Sequence, residues 1–243
     1  MTASVWRFVP CLQASGQVQM QLDRWLFEQH CLGLHPPTLR FYRWSPIAIS
    51  LGYHQRRYPE RWQHLTWKGE PIDLVRRPTG GRAVLHQGEL TYAVVTSGIG
   101  GNRMQAYQTL CEFLIAGCRS LGIQLQFGQA GRGYIHNPNC FGTATTADLV
   151  LPDGTKIIGS AQLRRGDAIL QHGSIQLSLD PDLFYRVFET ERPPLNVLPD
   201  PPIQALTEAL TRAASQCFGV QFLHQPLAES EWQAVLAQET LRV

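Results

Sequence analysis

The run Arg76-Arg77-Pro78-Thr79-Gly80-Gly81-Arg82-Ala83-Val84-Leu85-His86 sets two adjacent glycines between basic residues and an apolar, strand-like segment. Without Cβ atoms, that backbone can take unusual dihedrals and let a ligand lie directly against its amides, so the loop is a cradle for an acyl or phosphate group. The plain alternative is a hairpin turn with solvated arginines. Two more runs carry groups fit for chemistry, Lys156-Ile157-Ile158-Gly159-Ser160-Ala161-Gln162 and Gln171-His172-Gly173-Ser174. Cys140 stands in His136-Asn137-Pro138-Asn139-Cys140-Phe141-Gly142, a polar stretch outside any helical stripe. That position favours a reactive thiol over a packing one.

A sheet is needed to hold these residues. Strand formers concentrate in residues 39–44, 47–51, 72–76, 90–95, 123–127, 148–151, 156–163 and 168–177. Pro152-Asp153-Gly154 is a turn sequence, so residues 148–163 are expected to form a hairpin that presents Lys156 on its second strand. Helical spacing recurs in Leu22, Trp25 and Leu26, in Leu110, Phe113, Leu114 and Leu121, and in Ile203, Leu206, Leu210 and Ala213. These stripes predict core-facing helices over 18–31, 106–121 and 203–217, the third opened by Pro201-Pro202, with a last helix over 229–241. A proline-rich stretch, Arg192-Pro193-Pro194-Leu195-Asn196-Val197-Leu198-Pro199, separates the sheet from the final helices. The roughly fifty residues beyond it are too few for a second domain, so residues 1–243 are expected to form a single domain whose portion from about 200 is helical.

Composition limits the function classes. The chain has 243 residues, 44% of them hydrophobic, enough for a sizeable core. A formal net charge of +2 implies no nucleic-acid tail, although the pairs Arg56-Arg57, Arg76-Arg77 and Arg164-Arg165 are local candidates for anionic ligands. Met1-Thr2-Ala3-Ser4-Val5-Trp6-Arg7 lacks the pattern of a secretory signal, and no run approaches the ~18 apolar residues of a membrane span. A cytoplasmic protein that binds neither nucleic acid nor membrane is expected. Cys11, Cys31, Cys111, Cys118, Cys140 and Cys217 show neither CxxC pairs nor zinc-site spacing, which predicts no metal centre and no disulfide scaffold.

Taken together, Leu39-Arg40-Phe41-Tyr42-Arg43-Trp44-Ser45-Pro46, the Arg76 to His86 run, Lys156 to Arg165 and Ala168 to Ile175 resemble the lipoate-protein ligase and octanoyltransferase family, relatives of the biotin protein ligases. The likeness runs in matching order from about Pro36 to Leu177 and is nearest to the cysteine-dependent octanoyltransferase branch. It implies an α+β fold: one biotin/lipoate protein ligase-like catalytic domain with mixed, largely antiparallel sheets flanked by helices. In that branch a Cys-Phe pair upstream of the Lys-x-x-Gly-Ser-Ala-Gln strand supplies the acyl-accepting thiolate, and Cys140-Phe141 fits that place. An octanoyl group would pass from acyl carrier protein to Cys140 and then to a lysine of a lipoyl domain, either a glycine-cleavage H protein or a dehydrogenase E2 domain. Thioester exchange needs a thiolate, and Lys156 is the candidate neighbour that would favour it and stabilise charge on the acyl carbonyl oxygen. The resemblance assigns substrate binding to Arg77, Thr79, Gly80, Gly81, His86, Gly159, Ser160, Ala161, His172 and Gly173, with His86 and His172 open to a purely structural role.

This transferase chemistry requires no cofactor. The main alternative is an ATP-dependent lipoate ligase, which would use the same glycine loop and lysine to hold a lipoyl-adenylate and would need ATP and Mg2+. Cys140 at the nucleophile's place stands against it. Biotin ligation ranks lower, because that branch places an arginine-rich glycine loop where this chain has Arg77-Pro78-Thr79-Gly80-Gly81. A non-catalytic carrier-domain-binding protein is disfavoured by the presence of both Cys140 and Lys156.

Overall fold

The computed structural model of the chain describes residues 4–128, 147–191, 202–241 and 243. The first half runs β1 (Ser4–Ala14), α1 (Gly16–Cys31), β2 (Thr38–Trp44), β3 (Ala48–Leu51), β4 (Thr66–Trp67), β5 (Glu70–Pro71), β6 (Asp73–Arg76), β7 (Val84–His86), β8 (Glu89–Thr96) and α2 (Arg103–Ser120). The second runs β9 (Gln126–Phe127), β10 (Leu149–Val150), β11 (Lys156–Arg165), β12 (Ala168–Gln176), α3 (Pro181–Phe188), α4 (Ile203–Phe218), β13 (Val220–His224) and α5 (Glu229–Leu236).

The main sheet has the order β13-β1-β2-β8-β12-β11-β10-β9. Its β13–β1 and β1–β2 pairs are parallel, and the remaining pairs are antiparallel. A second sheet, β6-β3-β7, lies beside it, and β4 and β5 form a small hairpin. This is the mixed, largely antiparallel α+β architecture expected from the sequence.

Alternation along β8 explains the layering. Tyr92 and Val94 join the core under α2 and α4 with Phe113, Leu114, Leu206 and Leu210. Ala93 and Val95 face the other way, toward Leu22 and Leu26 of α1. Successive strand side chains point to opposite faces, so a strand covered on both sides must be buried throughout, and β8 is. Each fully buried leucine contributes roughly 1.5–3 kcal/mol relative to exposure. The second sheet packs Ile49, Leu51 and Leu85 against Leu183, Phe184 and Val187 of α3.

Local chemistry sets the helix starts. Ser15 caps α1 by accepting from the Val18 amide, Asn102 and Gln105 form a reciprocal capping box on α2, and Asp180 caps α3 just before Pro181. Gly154, at φ +87°, turns the expected hairpin between β10 and β11, with the Thr155 amide donating to Asp153 Oδ1 at 2.8 Å.

Some expectations change. The portion after residue 200 is not simply helical: β13 follows α4 and pairs in parallel with β1. The strand expected over 123–127 shrinks to Gln126–Phe127, and the last helix ends at Leu236 rather than 241. Of the three arginine pairs named as candidates for anions, Arg76-Arg77 is engaged with backbone: Arg76 Nη1 donates to the carbonyls of Gly52 and Gln55, both at 2.8 Å. Arg7, in β1, is buried, and its guanidinium grips both carboxylate oxygens of Glu231 in α5 at 2.7 and 2.8 Å. No helix among the described residues is long and apolar enough to cross a membrane.

Candidate active site

A cavity of about 270 Å3 opens between a face of the main sheet and the loop that links β6 to β7. Its wall brings together Arg77, Gly80, Gly81, His86, Lys156, Gly159, Ser160, Ala161, His172 and Gly173, residues drawn from three separate stretches of sequence. Thr79 stands behind that wall and is fully buried. The β11–β12 register accounts for the open centre: Gly159 lies opposite Ser174, Ser160 opposite Gly173, and Ala161 opposite His172. A Cβ at residue 173 would come within 2.7 Å of the Gly159 carbonyl oxygen, Ser160 Oγ and a Tyr92 ring carbon. Only glycine fits there.

The Gly80–Gly81 loop is held from below. Arg77 donates to the carbonyls of Ser50 at 2.9 Å, Gly80 at 2.8 Å and Arg82 at 2.7 Å, and to Ser50 Oγ at 3.1 Å. Its guanidinium shapes the loop from within. Gly81 has φ +98°, the left-handed region that side chains avoid, and a Cβ there would meet Arg77 Nη2 at 2.7 Å.

Thr79 is fixed through a relay. Asp23, on the inner face of α1, is fully buried and accepts from the Tyr42 hydroxyl at 2.8 Å and from His172 Nδ1 at 2.7 Å. A carboxylate only accepts, so Nδ1 carries the proton and Nε2 accepts the Thr79 hydroxyl, 2.6 Å away. Burial is the main cause that lowers the His172 pKa, partly opposed by Asp23, and burial also pushes Tyr42 well above its ordinary value. Arg40 Nη1 lies 3.5 Å from the other Asp23 oxygen.

The second histidine has a separate anchor. His86 Nδ1 bonds Glu89 Oε1, Nε2 lies 2.7 Å from Ser50 Oγ, and the ring stacks on Trp44 at 3.7 Å between centroids. Both histidines are thus satisfied at both nitrogens while also forming cavity wall.

Lys156 begins β11 and is only 7% exposed. Its Nζ meets Asp148 Oδ1 at 2.9 Å, so it is a buried ion-pair member and not the solvated lysine that a turn would predict. Beside it, Tyr92 OH bonds Ser160 Oγ at 2.7 Å and accepts from Gln171 at 2.8 Å. Burial raises the Tyr107 pKa, so that phenol in the cavity wall stays protonated.

Cys140 and Phe141 lie outside the described residues, as do the glycines of Gly131-Arg132-Gly133. Ala147 and Asp148 line the cavity. Burial raises the thiol pKa of Cys11, Cys31, Cys111, Cys118 and Cys217, with Cys111 pushed up to about 11 and Cys118 to about 12. None of these five has the depressed pKa of a nucleophilic thiol. Among the described residues, no group of three His, Cys, Asp or Glu side chains is arranged to hold a metal ion.

Sequence reasoning missed Asp23, Glu89 and Asp148. Asp23 carried a signal, because Gln19 and Asp23 occupy core spacing on a helix whose other stripe residues are apolar. Asp148 and Glu89 carried none beyond their place at strand ends.

Comparison with known proteins agrees with this geometry. The family model for the lipoyl protein ligase A/B catalytic domain matches residues 15–215. The octanoyltransferase LipM of Kyrpidia tusciae is 35% identical over 244 aligned positions, covering 89% of this chain and 88% of that protein. LipM of Bacillus subtilis is 37% identical over 199 positions, covering 77% and 71%. Among solved structures, lipoate-protein ligase A bound with ATP has a TM-score of 0.76 at 23% identity, covering 96% of this chain and 92% of that one. A bi-partite lipoate protein ligase from Thermoplasma acidophilum, studied with its E2 lipoyl domain, has a TM-score of 0.73 at 22% identity, covering 96% and 90%. At those identities the structures speak for the fold, whereas the family match spans most of the sequence: the chain belongs to the lipoyl protein ligase A/B catalytic domain family.

Proposed function

We propose that this protein, acting as one catalytic domain over residues 1–243, is an octanoyltransferase of lipoate biosynthesis that works through a thioester on Cys140. The observation that carries the reading is the convergence of the Gly80–Gly81 loop, Lys156 and both histidines on one cavity, whose wall includes Ala147, seven residues after Cys140 in the sequence. The LipM relatives supply the reaction class.

The Cys140 thiolate attacks the carbonyl carbon of octanoyl phosphopantetheine on acyl carrier protein. The carbon–sulfur bond to the carrier breaks, the carrier thiolate leaves and takes up a proton, and octanoate remains on Cys140 as a thioester. The uncharged ε-amine of a lysine on a lipoyl domain, from an H protein or an E2 component, then attacks that carbonyl. An amide forms, the amine loses its second proton and the Cys140 thiolate is released. In each step negative charge gathers on the carbonyl oxygen. The buried Lys156 ammonium, aimed by Asp148, stabilises that charge far better than an ammonium in water would. Gly80 and Gly81 give the acyl group a backbone wall, and Gly159, Ala161 and Gly173 leave room for its chain.

Intact-mass spectrometry after incubation with octanoyl carrier protein, without ATP, tests this. One octanoyl group should be gained and then released by neutral hydroxylamine. Cys140→Ser should fold and lose transfer, because a hydroxyl is a far weaker nucleophile at neutral pH. Full transfer by Cys140→Ser, or acylation that requires ATP and Mg2+, would instead make the protein a lipoate ligase.

A further inference from the structure

Away from Lys156, the cavity wall mixes the apolar Met20 and Val84 with the polar side chains of Ser50, His86, Thr91 and Ser174. An alkyl chain gains nothing from hydroxyls and loses if it must strip water from them. A hydroxyl, however, has one hydrogen, and where that hydrogen goes decides what the group shows to a ligand.

Glu89 decides it. This residue is 3% exposed, and its carboxylate takes four donors: His86 Nδ1 and the Thr91 hydroxyl (2.9 Å) on Oε1, the Ser174 hydroxyl and Gln176 Nε2 (2.8 Å) on Oε2. Four is about the capacity of a carboxylate. Each hydroxyl is also met from behind, Thr91 by Trp44 Nε1 at 2.8 Å and Ser174 by Gln176 at 2.9 Å. With Nδ1 committed to Glu89, His86 Nε2 accepts the Ser50 hydroxyl, which itself accepts from Arg77. All three hydroxyl hydrogens are therefore drawn away from the cavity.

The sheet sets this polar group to one side of Lys156. Thr91 on β8 pairs with Ser174 on β12, which pairs with Gly159 on β11, three residues along from Lys156. Two interstrand spacings and three residues of rise put Thr91 roughly 14 Å from Lys156, and one spacing with the same rise puts Ser174 roughly 11 Å away. We propose that Glu89 is a positioning residue that sets acyl-chain specificity: by holding the hydroxyls of Thr91 and Ser174, and through His86 that of Ser50, it makes a polar wall accept the alkyl tail of the octanoyl group. This rests on the acyl-transfer reading above and names the part of the cavity that measures the tail.

Glu89→Gln, made in a Gln176→Met background that serves as the reference, tests it with little change in shape; with Gln176 kept, its amide could rotate and take the Ser174 hydrogen in place of Glu89. The amide at residue 89 can accept on one oxygen only. With that oxygen on His86 and Thr91, its NH2 faces Ser174, whose hydrogen then has no acceptor and turns into the cavity. Transfer from octanoyl carrier protein should fall about tenfold in kcat/KM, chiefly through KM, the scale of one unmatched buried hydroxyl. Transfer from butyryl carrier protein, whose chain stops short of Ser174, should change less than about twofold. Adding Ser174→Ala should restore the octanoyl preference. Equal losses with both donors, no loss with either, or no rescue by Ser174→Ala would overturn the proposal. If Glu89→Gln does not fold in that background, Glu89→Gln/Ser174→Ala carries the test alone, with the chain preference of the reference expected and a shift toward butyryl transfer fatal. Wild-type protein that transfers no acyl group would refute the enzymatic reading and not this one. Calorimetric binding of octanoate and butyrate to the Gln176→Met reference and its variants then reads the same split, with selective loss of octanoate expected and equal loss or no loss overturning it.

Discussion

At one end of the cavity Asp148, 4% exposed, meets the Lys156 ammonium at 2.9 Å; at the other, Glu89, 3% exposed, meets hydroxyls, an amide and a histidine. Two carboxylates equally removed from water are thus used in opposite ways. An ion pair in a low-dielectric wall holds a positive group in one direction, which on the proposed reading is toward the acyl carbonyl. A carboxylate saturated by dipolar donors instead orders the hydrogens of its neighbours. The contrast divides the site into an end for the carbonyl and an end for the chain.

The largest effect should come from the charged end. Lys156→Met keeps most of the side-chain length and removes the ammonium, so acylation should slow by ~10²-fold or more, the scale of losing one such electrostatic contact. The loss should be the same for butyryl and octanoyl donors when single-turnover rates are compared, and a loss that grew with chain length would break the division. The pH profile of Cys140 alkylation should also move to higher pH, because a positive neighbour that favours the thiolate is gone. An unmoved profile with slowed transfer would leave Lys156 acting on the carbonyl alone.

Gly81→Val probes the loop that both ends share. A β-branched residue at φ +98°, crowded by Arg77 Nη2 at 2.7 Å, should raise KM for the octanoyl donor about tenfold while the denaturation midpoint shifts less than that loss implies. Normal binding would reduce the loop to a turn. The smallest effect belongs to His172. Burial lowers its pKa in the folded protein below the ordinary 6.5, so as pH falls the unfolded chain takes up the proton first. Its contribution to stability is complete above about 6.5 and is lost progressively as the pH drops through and below that value. Urea midpoints measured across this range should fall with acid, and His172→Gln should flatten the slope where Lys156→Met should not.

The glycine loop, the Lys156 hairpin and the two histidines were legible in the sequence because each is punctuated by local chemistry: adjacent glycines, Pro152-Asp153-Gly154, and polar residues set into apolar strands. The buried acids were harder to read. Asp23 showed only its core spacing with Gln19 on α1, while Glu89 opens a strand, a position where an acid ordinarily faces water, and is taken inside by its pairing with Gln176 across β8 and β12. The strand β1 was missed for a related reason. Pro10 and Arg7 argue against a buried strand, and Arg7 is tolerated there because Glu231 meets it from more than two hundred residues away. The strand β13 and helix α3 were hidden by shortness, since five and eight residues give periodicity little to work with.

The position of β1 has a consequence for how the chain is made. Its parallel partners are β2, synthesised soon afterward, and β13, which follows α4, while Arg7 waits for Glu231 in α5. A nascent chain can assemble β2, β8, β12 and β11 on the ribosome, yet one flank of β1 stays an unpaired edge with a buried-type arginine until β13 and α5 have emerged. Completion of the fold is therefore tied to synthesis of those two elements. A chain stalled before β13 would present a long, open strand edge, the form most prone to pair with another copy.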